Sequence, residues 1–388
     1  MKKALLLLLG LALLIITQSV RAQDEKEDNK FPVDISGSVD TYFKTNLTSK
    51  NVADEEGAFI TPGSSFANKS GFALGMVNLI ASKEWDKVGF VADLVFGPRG
   101  TDAVFNSMGS SSIVNQLYGY WNVSDKVTLT MGNFNTFLGY EVISPVDNFN
   151  YSTSYMFSYG PFSHTGVKAD ISLSDNLSLM AGILNPTDLT EFNPASTYSL
   201  GAQLGYENDK GSIYFNVLYG DQDGNLDEDL ALTADTTSAG NTLQFDITTG
   251  WNLTDALYVG LNTTINTTDA GEVFNGTSVE DADGDSFGFY GVAGYIQLTT
   301  SDVFAIGARV EYFSEFEEGA GAIGAYDADG DASILDVTLT GKISIGNHMT
   351  LIPEVRLDAA SEDGTFVEDD LDPTQSLASF LVAAVFSF

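Results

Sequence analysis

The stretch TLQFDITTGWNLT, residues 242–254, alternates apolar and polar side chains. Leu243, Phe245 and Ile247 share one face of an extended chain. Gln244 and Asp246 lie on the other face, because successive side chains of a strand point to opposite sides. The stretch therefore predicts a β-strand with one apolar and one polar face.

The same alternation recurs along most of the 388-residue chain. It predicts about sixteen strands, an even number typical of bacterial outer-membrane barrels. The predicted strands are 33–45, 70–82, 87–97, 112–123, 126–137, 163–174, 177–185, 197–208, 211–220, 241–253, 256–267, 286–299, 302–314, 332–345, 348–358 and 376–388.

The connections between these strands alternate between short turns and long loops. Short turns are expected at Trp85-Asp86, Ser124-Asp125, Ser174-Asp175-Asn176, Asn208-Asp209-Lys210, Thr254-Asp255, Ser301-Asp302 and Gly346-Asn347. A soluble β-sandwich needs fewer strands and does not keep its long loops at one end. The sequence therefore predicts an all-β protein, a transmembrane antiparallel β-barrel with short periplasmic turns and long acidic extracellular loops.

Such a barrel turns its apolar face to the outer-membrane lipid and its polar face to the lumen, because hydrocarbon cannot hydrogen-bond an open sheet. On the polar faces acidic residues outnumber basic ones by about two to one, which favours a mild preference for cations and disfavours a phosphate-selective pore. The predicted lumen wall comprises Lys168, Asp246, Arg309, Glu311, Asp336, Lys342, Glu354 and Arg356.

The N-terminus predicts export. Lys2 and Lys3 precede an apolar run, and small residues end it at Ala22. Residues 1–22 are therefore interpreted as a signal peptide that is cleaved near Ala22, although an uncleaved anchor remains an alternative. A short acidic segment, 23–32, leads into the barrel, 33–388, in the outer membrane.

Composition excludes several classes of protein. Without Lys2, Lys3 and Arg21, 14 basic residues face 53 acidic ones, a net charge near −39 that is incompatible with nucleic acid as a partner. The sequence contains no cysteine, so disulfides play no part. Twelve per cent of the residues are aromatic, which argues against disorder.

One segment has neither strand nor helix periodicity. NFNYSTSYMFSYGPFSHTG, residues 148–166, is rich in Phe and Tyr, and such rings are unfavourable in an exposed loop. A barrel of this size has a lumen that can hold them. We therefore predict that residues 139–163 fold into the lumen and narrow the pore, with tyrosine hydroxyls and asparagine amides facing water and solute. The predicted constriction residues are Tyr140, Glu141, Asp147, Asn148, Asn150, Tyr151, Tyr155 and His164.

The same region resembles a motif of outer-membrane β-barrel porins of the OmpL-like kind. The shared elements are Gly139-Tyr140-Glu141, Pro145, Asn148 to Ser152, and Phe162 to Gly166, with AGILNPTD as a looser match soon afterwards. The resemblance implies a porin, a passive channel for small hydrophilic solutes. By analogy with such barrels, the terminal Phe388 would be read by the barrel assembly machinery, and a homotrimer is possible.

Three loops carry Asp at alternating positions, as at the start of an EF-hand loop. The sixth-position Gly and twelfth-position Glu of that loop are missing, so either weak calcium or magnesium binding or solvated acidic turns would fit. No other cofactor is expected. The residues are Asp221, Asp223, Asp281, Asp283, Asp285, Asp327, Asp329 and Asp331.

An enzyme is not expected. Ser163 and His164 are adjacent in a predicted strand and would face opposite ways, which hinders contact between a nucleophile and a base. No catalytic residue is therefore assigned. The alternative to a channel is a surface-exposed barrel whose acidic loops bind divalent cations or an external partner.

Overall fold

The structure is a computed structural model that describes residues 33–51, 62–226, 236–274, 278–368, 370 and 372–388. The predicted signal peptide 1–22 and the acidic segment 23–32 lie outside the described residues. The chain divides into a unit Met1–Asp34, of which only residues 33 and 34 are described, and the barrel unit Ile35–Phe388. None of the described helices combines the length and apolar character that crossing a bilayer requires.

Sixteen antiparallel strands close into one barrel, as the sequence predicts. The last strand pairs with the first, for example Phe386 with Val39. The barrel strands are β1 Asp34–Asn46, β2 Gly71–Trp85, β3 Val88–Phe96, β4 Val114–Ser124, β5 Val127–Asn135, β6 Ser163–Ser172, β7 Leu177–Leu184, β8 Ser199–Asn208, β9 Gly211–Asp221, β11 Asn241–Asn252, β12 Leu257–Thr268, β15 Phe287–Ser301, β16 Phe304–Phe316, β17 Ala332–Ile345, β18 Met349–Ala360 and β21 Ser376–Ser387.

Short elements decorate the long loops. They were not predicted, because two to six residues are too few to show a periodicity. Two small sheets lie outside the barrel sheet. The short elements are β10 Thr236–Ser238, β13 Glu272–Phe274, β14 Val279–Asp281, β19 Phe366–Val367, β20 Pro373–Thr374, helix α1 Pro98–Ala103, a 3₁₀ turn Ser111–Ile113 and helix α2 Tyr155–Tyr159.

The two faces of the strands differ as predicted. On β17, Leu339 is 52% exposed on the outer face, while Thr338 and Thr340 are fully buried on the inner face. The outer face carries exposed Leu, Val, Ile, Phe and Tyr side chains, which lipid would cover. Because successive strand side chains point to opposite sides, these positions show which face of β17 points into the barrel.

Aromatic side chains mark the two ends of the barrel. All three tryptophans, Trp85, Trp121 and Trp251, lie near the short turns, at the end that we call the short-turn end. Tyr290 and Tyr312 lie on the outer face towards the opposite, long-loop end. Aromatic girdles flank the apolar band of outer-membrane barrels, so these rings indicate the two membrane interfaces.

The long-loop end of the lumen is filled by side chains from several loops. Phe66, Val104, Ile143, Phe157 and Phe162 are buried together in one apolar cluster. Phe66 precedes β2, Val104 follows α1, and the other three residues belong to the connection between β5 and β6. The protein core therefore lies inside the barrel, where these rings are removed from water.

Candidate functional site

The connection between β5 and β6, residues 136–162, lies against the inner face of β16, β17 and β18, and we call it the constriction segment. Its partners on these strands are more than 150 residues away in sequence. The predicted loop 139–163 covers nearly the same residues, but Ser163 is already the first residue of β6. The segment also contains the short helix α2, for which its sequence shows no helical periodicity.

Arg309 of β16 is the main contact between wall and segment. Its Nη1 atom donates to Glu141 Oε1 at 2.7 Å and to the Ser152 carbonyl oxygen at 2.8 Å. Nη2 donates to the Thr153 carbonyl oxygen at 3.3 Å, and Nε donates to Asp336 Oδ1 at 3.1 Å. One guanidinium group thus binds a wall carboxylate, a segment carboxylate and two segment carbonyls.

Arg356 of β18 makes a parallel set of contacts. Its Nε atom lies 2.6 Å from Asp336 Oδ2, and Nη2 donates to Asp358 Oδ1 at 2.7 Å. Nη1 donates to the Thr153 carbonyl oxygen at 2.8 Å and to Ser64 Oγ at 3.2 Å. Arg356 therefore joins the constriction segment to the loop between β1 and β2.

Two wall carboxylates accept backbone N–H groups of the segment. Glu311 accepts from Tyr155 and Met156 at 2.8 Å each, at the start of α2. Glu354 accepts from Tyr151 at 3.0 Å and from Ser152 at 3.2 Å. Each carboxyl group accepts two successive backbone N–H groups of the segment, and these contacts fix its path.

The segment tyrosines point into the wall. The Tyr151 hydroxyl donates to Asp40 of β1, and the Tyr155 hydroxyl donates to Asp358 Oδ1 at 3.0 Å. Burial, followed by the neighbouring carboxylate, raises the pKa of both hydroxyls above the ordinary tyrosine value. Both groups therefore remain protonated donors in neutral solution.

The asparagines of the segment bind protein as well. Asn148 Oδ1 accepts from the Val142 N–H at 2.9 Å, and Asn150 Nδ2 donates to Thr340 Oγ1 at 2.7 Å. Lys342 Nζ donates to the Asn148 carbonyl oxygen and lies 5.4 Å from the centroid of the Phe149 ring. Asp147, the predicted constriction residue next to Asn148, is exposed instead.

This arrangement differs from the predicted aqueous lining. The sequence placed the charged wall residues and the segment's Tyr and Asn side chains in contact with water. They lie between wall and segment instead, because a charge covered by another element must be paired and hydrogen-bonded. The residues buried in this way are Asn148, Asn150, Tyr151, Tyr155, Glu141, Arg309, Glu311, Asp336, Glu354 and Arg356.

The remaining predicted residues lie elsewhere on the inner wall. Lys168 pairs with Asp170 at 2.9 Å, with side chains 23% and 43% exposed, so this pair faces open lumen. Asp246 accepts from the Gly139 N–H at 3.0 Å and so holds the start of the segment. His164 is buried, with Nε2 2.9 Å from Thr136 Oγ1.

The sequence did not predict that Arg99 contacts the constriction segment. Arg99 lies in α1, and its Nε atom donates to the Ile143 carbonyl oxygen at 2.9 Å and its Nη1 atom to the Tyr151 carbonyl oxygen at 3.2 Å. The guanidinium also lies 4.4 Å from the Phe66 ring centroid. A lone arginine beside proline and glycine in an acidic chain was the available signal, but it does not identify the partner.

An open cavity of about 330 Å³ remains between the constriction segment and the short-turn end of the lumen. Tyr140, Phe149, Tyr258 and Tyr295 supply aromatic rings to its wall, and Lys342 borders it. The exposed Asp147 borders the same space. Five of the eight predicted constriction residues border this volume and three do not; the five are Tyr140, Glu141, Asp147, Asn148 and Asn150, and the three are Tyr151, Tyr155 and His164.

Two of the predicted metal ligands, Asp221 and Asp327, bind the backbone of their own turns. Asp327 Oδ1 accepts from the N–H groups of Asp329 and Asp331 at 2.9 and 3.0 Å. Asp221 Oδ1 accepts from the N–H of Gly224 at 2.7 Å. Across the part of the chain that the structure describes, no three His, Cys, Asp or Glu side chains are grouped for a metal ion.

Comparisons with known structures show the fold. The chain is similar to a loop L8 deletion mutant of OmpT, an outer membrane protein of Vibrio cholerae, at 13% identity and a TM-score of 0.56 over 92% of this chain and 99% of that chain. It is also similar to an anion-selective porin from Comamonas acidovorans, at 10% identity and a TM-score of 0.55, with the same coverage. OmpT of Vibrio cholerae in a trimer form matches at 10% identity, a TM-score of 0.53 and 92% and 99% coverage.

A search among curated protein sequences gives no match. A family model does match, over residues 32–388, which is nearly the whole chain. The resemblance seen in the sequence around Gly139 to Gly166 is thereby confirmed, and the fold agrees with porin structures. The chain belongs to the outer-membrane family described as "Putative beta-barrel porin-2, OmpL-like".

Proposed function

We propose that the protein is a passive outer-membrane channel for small hydrophilic solutes, with the constriction segment setting its bore. The observation that supports this proposal is the attachment of the segment to the inner wall through Arg309, Glu311 and Arg356. A segment held in this way narrows the lumen permanently. Membership of a porin family supports channel function in general.

We further propose a mild preference for cations. The chain carries 53 acidic against 17 basic residues, and on the strand faces that line the lumen acidic residues outnumber basic ones by about two to one. Carboxylates along a pore lower the free energy of a cation relative to an anion, and salt screens this effect, with a Debye length of about 3 Å at 1 M.

Planar-bilayer recording tests both statements. Purified protein should give stepwise ion conductance, and a potassium chloride gradient should give a reversal potential of the sign for cation preference. The reversal potential should shrink towards zero as both salt concentrations rise. An anion-selective reversal potential would refute the preference but leave the channel, whereas absence of steps would refute the channel.

A channel fits the surroundings of the histidine better than an enzyme does. His164 Nε2 contacts the Thr136 hydroxyl, and its ring lies 5.0 Å from the centroid of Phe137. Both partners belong to or adjoin the start of the constriction segment. This environment suits a side chain that packs the segment against β6.

The alternative, a barrel whose acidic loops bind divalent cations or an external partner, has weaker support. Weak binding of calcium or magnesium by the Asp-rich loops is a proposal that millimolar calcium would test, through protection of the loops from protease. The carboxylates of Asp221 and Asp327 already accept backbone N–H groups within their turns.

We also propose export through a signal peptide cleaved near Ala22 and recognition of Phe388 by the barrel assembly machinery. Phe388 pairs with Gly37 through two backbone hydrogen bonds of 3.0 and 3.1 Å, and its side chain is exposed. A homotrimer is a further proposal, supported by the trimer form of the similar Vibrio cholerae protein.

A further inference from the structure

The cavity below the constriction segment has a wall of stacked rings. Tyr140 and Tyr295 are nearly parallel, with ring centroids 4.1 Å apart and an interplanar angle of 20°. The Tyr140 hydroxyl donates to the Tyr258 hydroxyl at 2.8 Å. Three tyrosines from the segment, β12 and β15 therefore form one continuous surface on this cavity.

Glycines on the inner face of the barrel make this surface possible. A Cβ atom at Gly260 would lie 2.8 Å from the Tyr140 hydroxyl oxygen and 2.9 Å from its ring. A Cβ atom at Gly307 would lie 2.5 Å from the Phe149 ring. Both rings thus lie directly on the backbone of the wall and leave the space in front of them open.

The charges that border the cavity are balanced. Glu141 is neutralised by Arg309 at 2.7 Å, so it offers little net charge. Asp147 and Lys342 carry opposite charges and both border the cavity. A neutral solute with many hydrogen-bonding groups suits such a site better than an ion of either sign.

One polar group at the cavity has no partner. The Tyr295 residue is 5% exposed, and its hydroxyl oxygen has no hydrogen-bond partner among the described residues. Buried hydroxyls are nearly always hydrogen-bonded, so the Tyr295 hydroxyl has an unused capacity for a hydrogen bond beside the cavity. Asn150 and Gln297 border the same space and add side-chain amides.

We propose that this cavity is a binding site for a neutral sugar of one or two rings. Aromatic faces pack against the C–H faces of a sugar ring, while its hydroxyls bond to amides, tyrosine hydroxyls and carboxylates. A volume of about 330 Å³ suits a molecule of this size. The site rests on the proposed channel function, since the sugar enters through the barrel.

Maltose is the probe for the first test. In planar bilayers it should reduce the ion current in a saturable manner, with the block expressed relative to the unblocked conductance of the same variant. Tyr295→Phe keeps the ring and removes the hydroxyl, so half-block should need about 2- to 10-fold more maltose, the loss expected for one hydrogen bond. Tyr140→Leu, which removes half of the stacked pair, should weaken the block further.

Tyr118→Phe is the matched control. Tyr118 lies half-buried on β4 and does not border the cavity, so this variant should keep the block of the parent protein. Calorimetric titration of maltose into the detergent-solubilised protein measures binding without a current. Migration of unheated and boiled samples in detergent gels shows that each variant has folded.

The outcomes separate the site from the channel. Normal conductance without a saturable block and without heat of binding overturns the sugar site and leaves the channel. Heat of binding that is weakened in Tyr295→Phe supports the site even if no current is seen, which would overturn the channel instead. An equal block in the parent, Tyr295→Phe and Tyr140→Leu overturns the site, because the sugar then binds elsewhere.

Discussion

Arg309 and Arg356 are buried charges, and each is surrounded by carboxylates and carbonyl oxygens. Arg309 contacts both Asp336 of the wall and Glu141 of the constriction segment. Loss of one partner from such a network leaves an uncompensated buried charge, which costs far more than the intact pair contributes. These two arginines therefore determine whether the constriction segment stays attached to the wall.

Arg309→Gln should destabilise the protein by about 3–5 kcal/mol, because Glu141 would remain buried without its cation and Asp336 would keep only Arg356. Its matched control is Lys168→Gln, which removes a cation from a partly exposed pair and should cost only about 0–1 kcal/mol. Urea unfolding in detergent, followed by tryptophan fluorescence, compares the two. Equal losses of stability would contradict the buried network.

Asp188 should make stability depend on pH. It lies in the loop after β7 and accepts the Phe162 and Ser163 N–H groups at 2.9 and 2.8 Å, and burial raises its pKa to about 6. Its raised pKa means that the folded state favours the neutral acid. The stability that protonated Asp188 contributes is fully present below its unfolded-state pKa of 3.8, and it is lost as pH rises through the folded-state pKa of about 6.

Asp188→Asn should therefore gain stability relative to the parent as pH rises from 4 to 7, because the amide keeps its acceptor oxygen and never ionises. The other carboxyl groups titrate in the same way in both proteins, so their effect cancels in the difference between the two unfolding free energies. Urea unfolding of both proteins at several pH values measures it. A difference that is constant over this range would contradict the raised pKa.

At the scale of elements, the strands were predictable and the contacts of the constriction segment were not. The alternation in TLQFDITTGWNLT reports the two faces of a strand directly, so β11 runs close to its predicted range of 241–253. Parity also placed Asp336 on the inner face, but it could not show that the segment covers it. The partners of Tyr155 and Ser152 are more than 150 residues away, and no local pattern encodes such a distance.

Adjacent positions on β8 test the register. Leu204 is exposed on the lipid face, and a lysine there should cost about 2–4 kcal/mol near the bilayer midplane. Gln203 points inwards and donates to the Phe137 carbonyl oxygen and Asn216 Oδ1. Gln203→Lys keeps a donor and should fold like the parent.

Refolding yield into lipid vesicles, read from migration in detergent gels, compares Leu204→Lys with Gln203→Lys. The lipid-face variant should fold poorly. Better folding of Leu204→Lys than of Gln203→Lys would mean that the register is wrong by one residue, which exchanges the two faces of the strand.

At the scale of the whole molecule, the barrel follows from composition and spacing, whereas its filled interior does not. Sixteen strands, alternating connections and an apolar outer face were all predicted from the sequence and are confirmed. The interior was expected to be a water-lined channel with one loop in it. Loops other than this one also enter the lumen, as Phe66 and Val104 show, because their apolar side chains have no other place to avoid water.

The central claim is that the constriction segment lies in the path of the current, and Asp147→Cys tests it most directly. Asp147 is exposed at the cavity, and the native chain has no cysteine, whereas Tyr151 and Tyr155 are too buried to react. Asp285→Cys, in an exposed long loop, is the control. A small charged methanethiosulfonate should reduce the single-channel current of Asp147→Cys and leave that of Asp285→Cys unchanged. Complete modification of Asp147→Cys without a change in current would place the segment outside the conducting path and contradict the account.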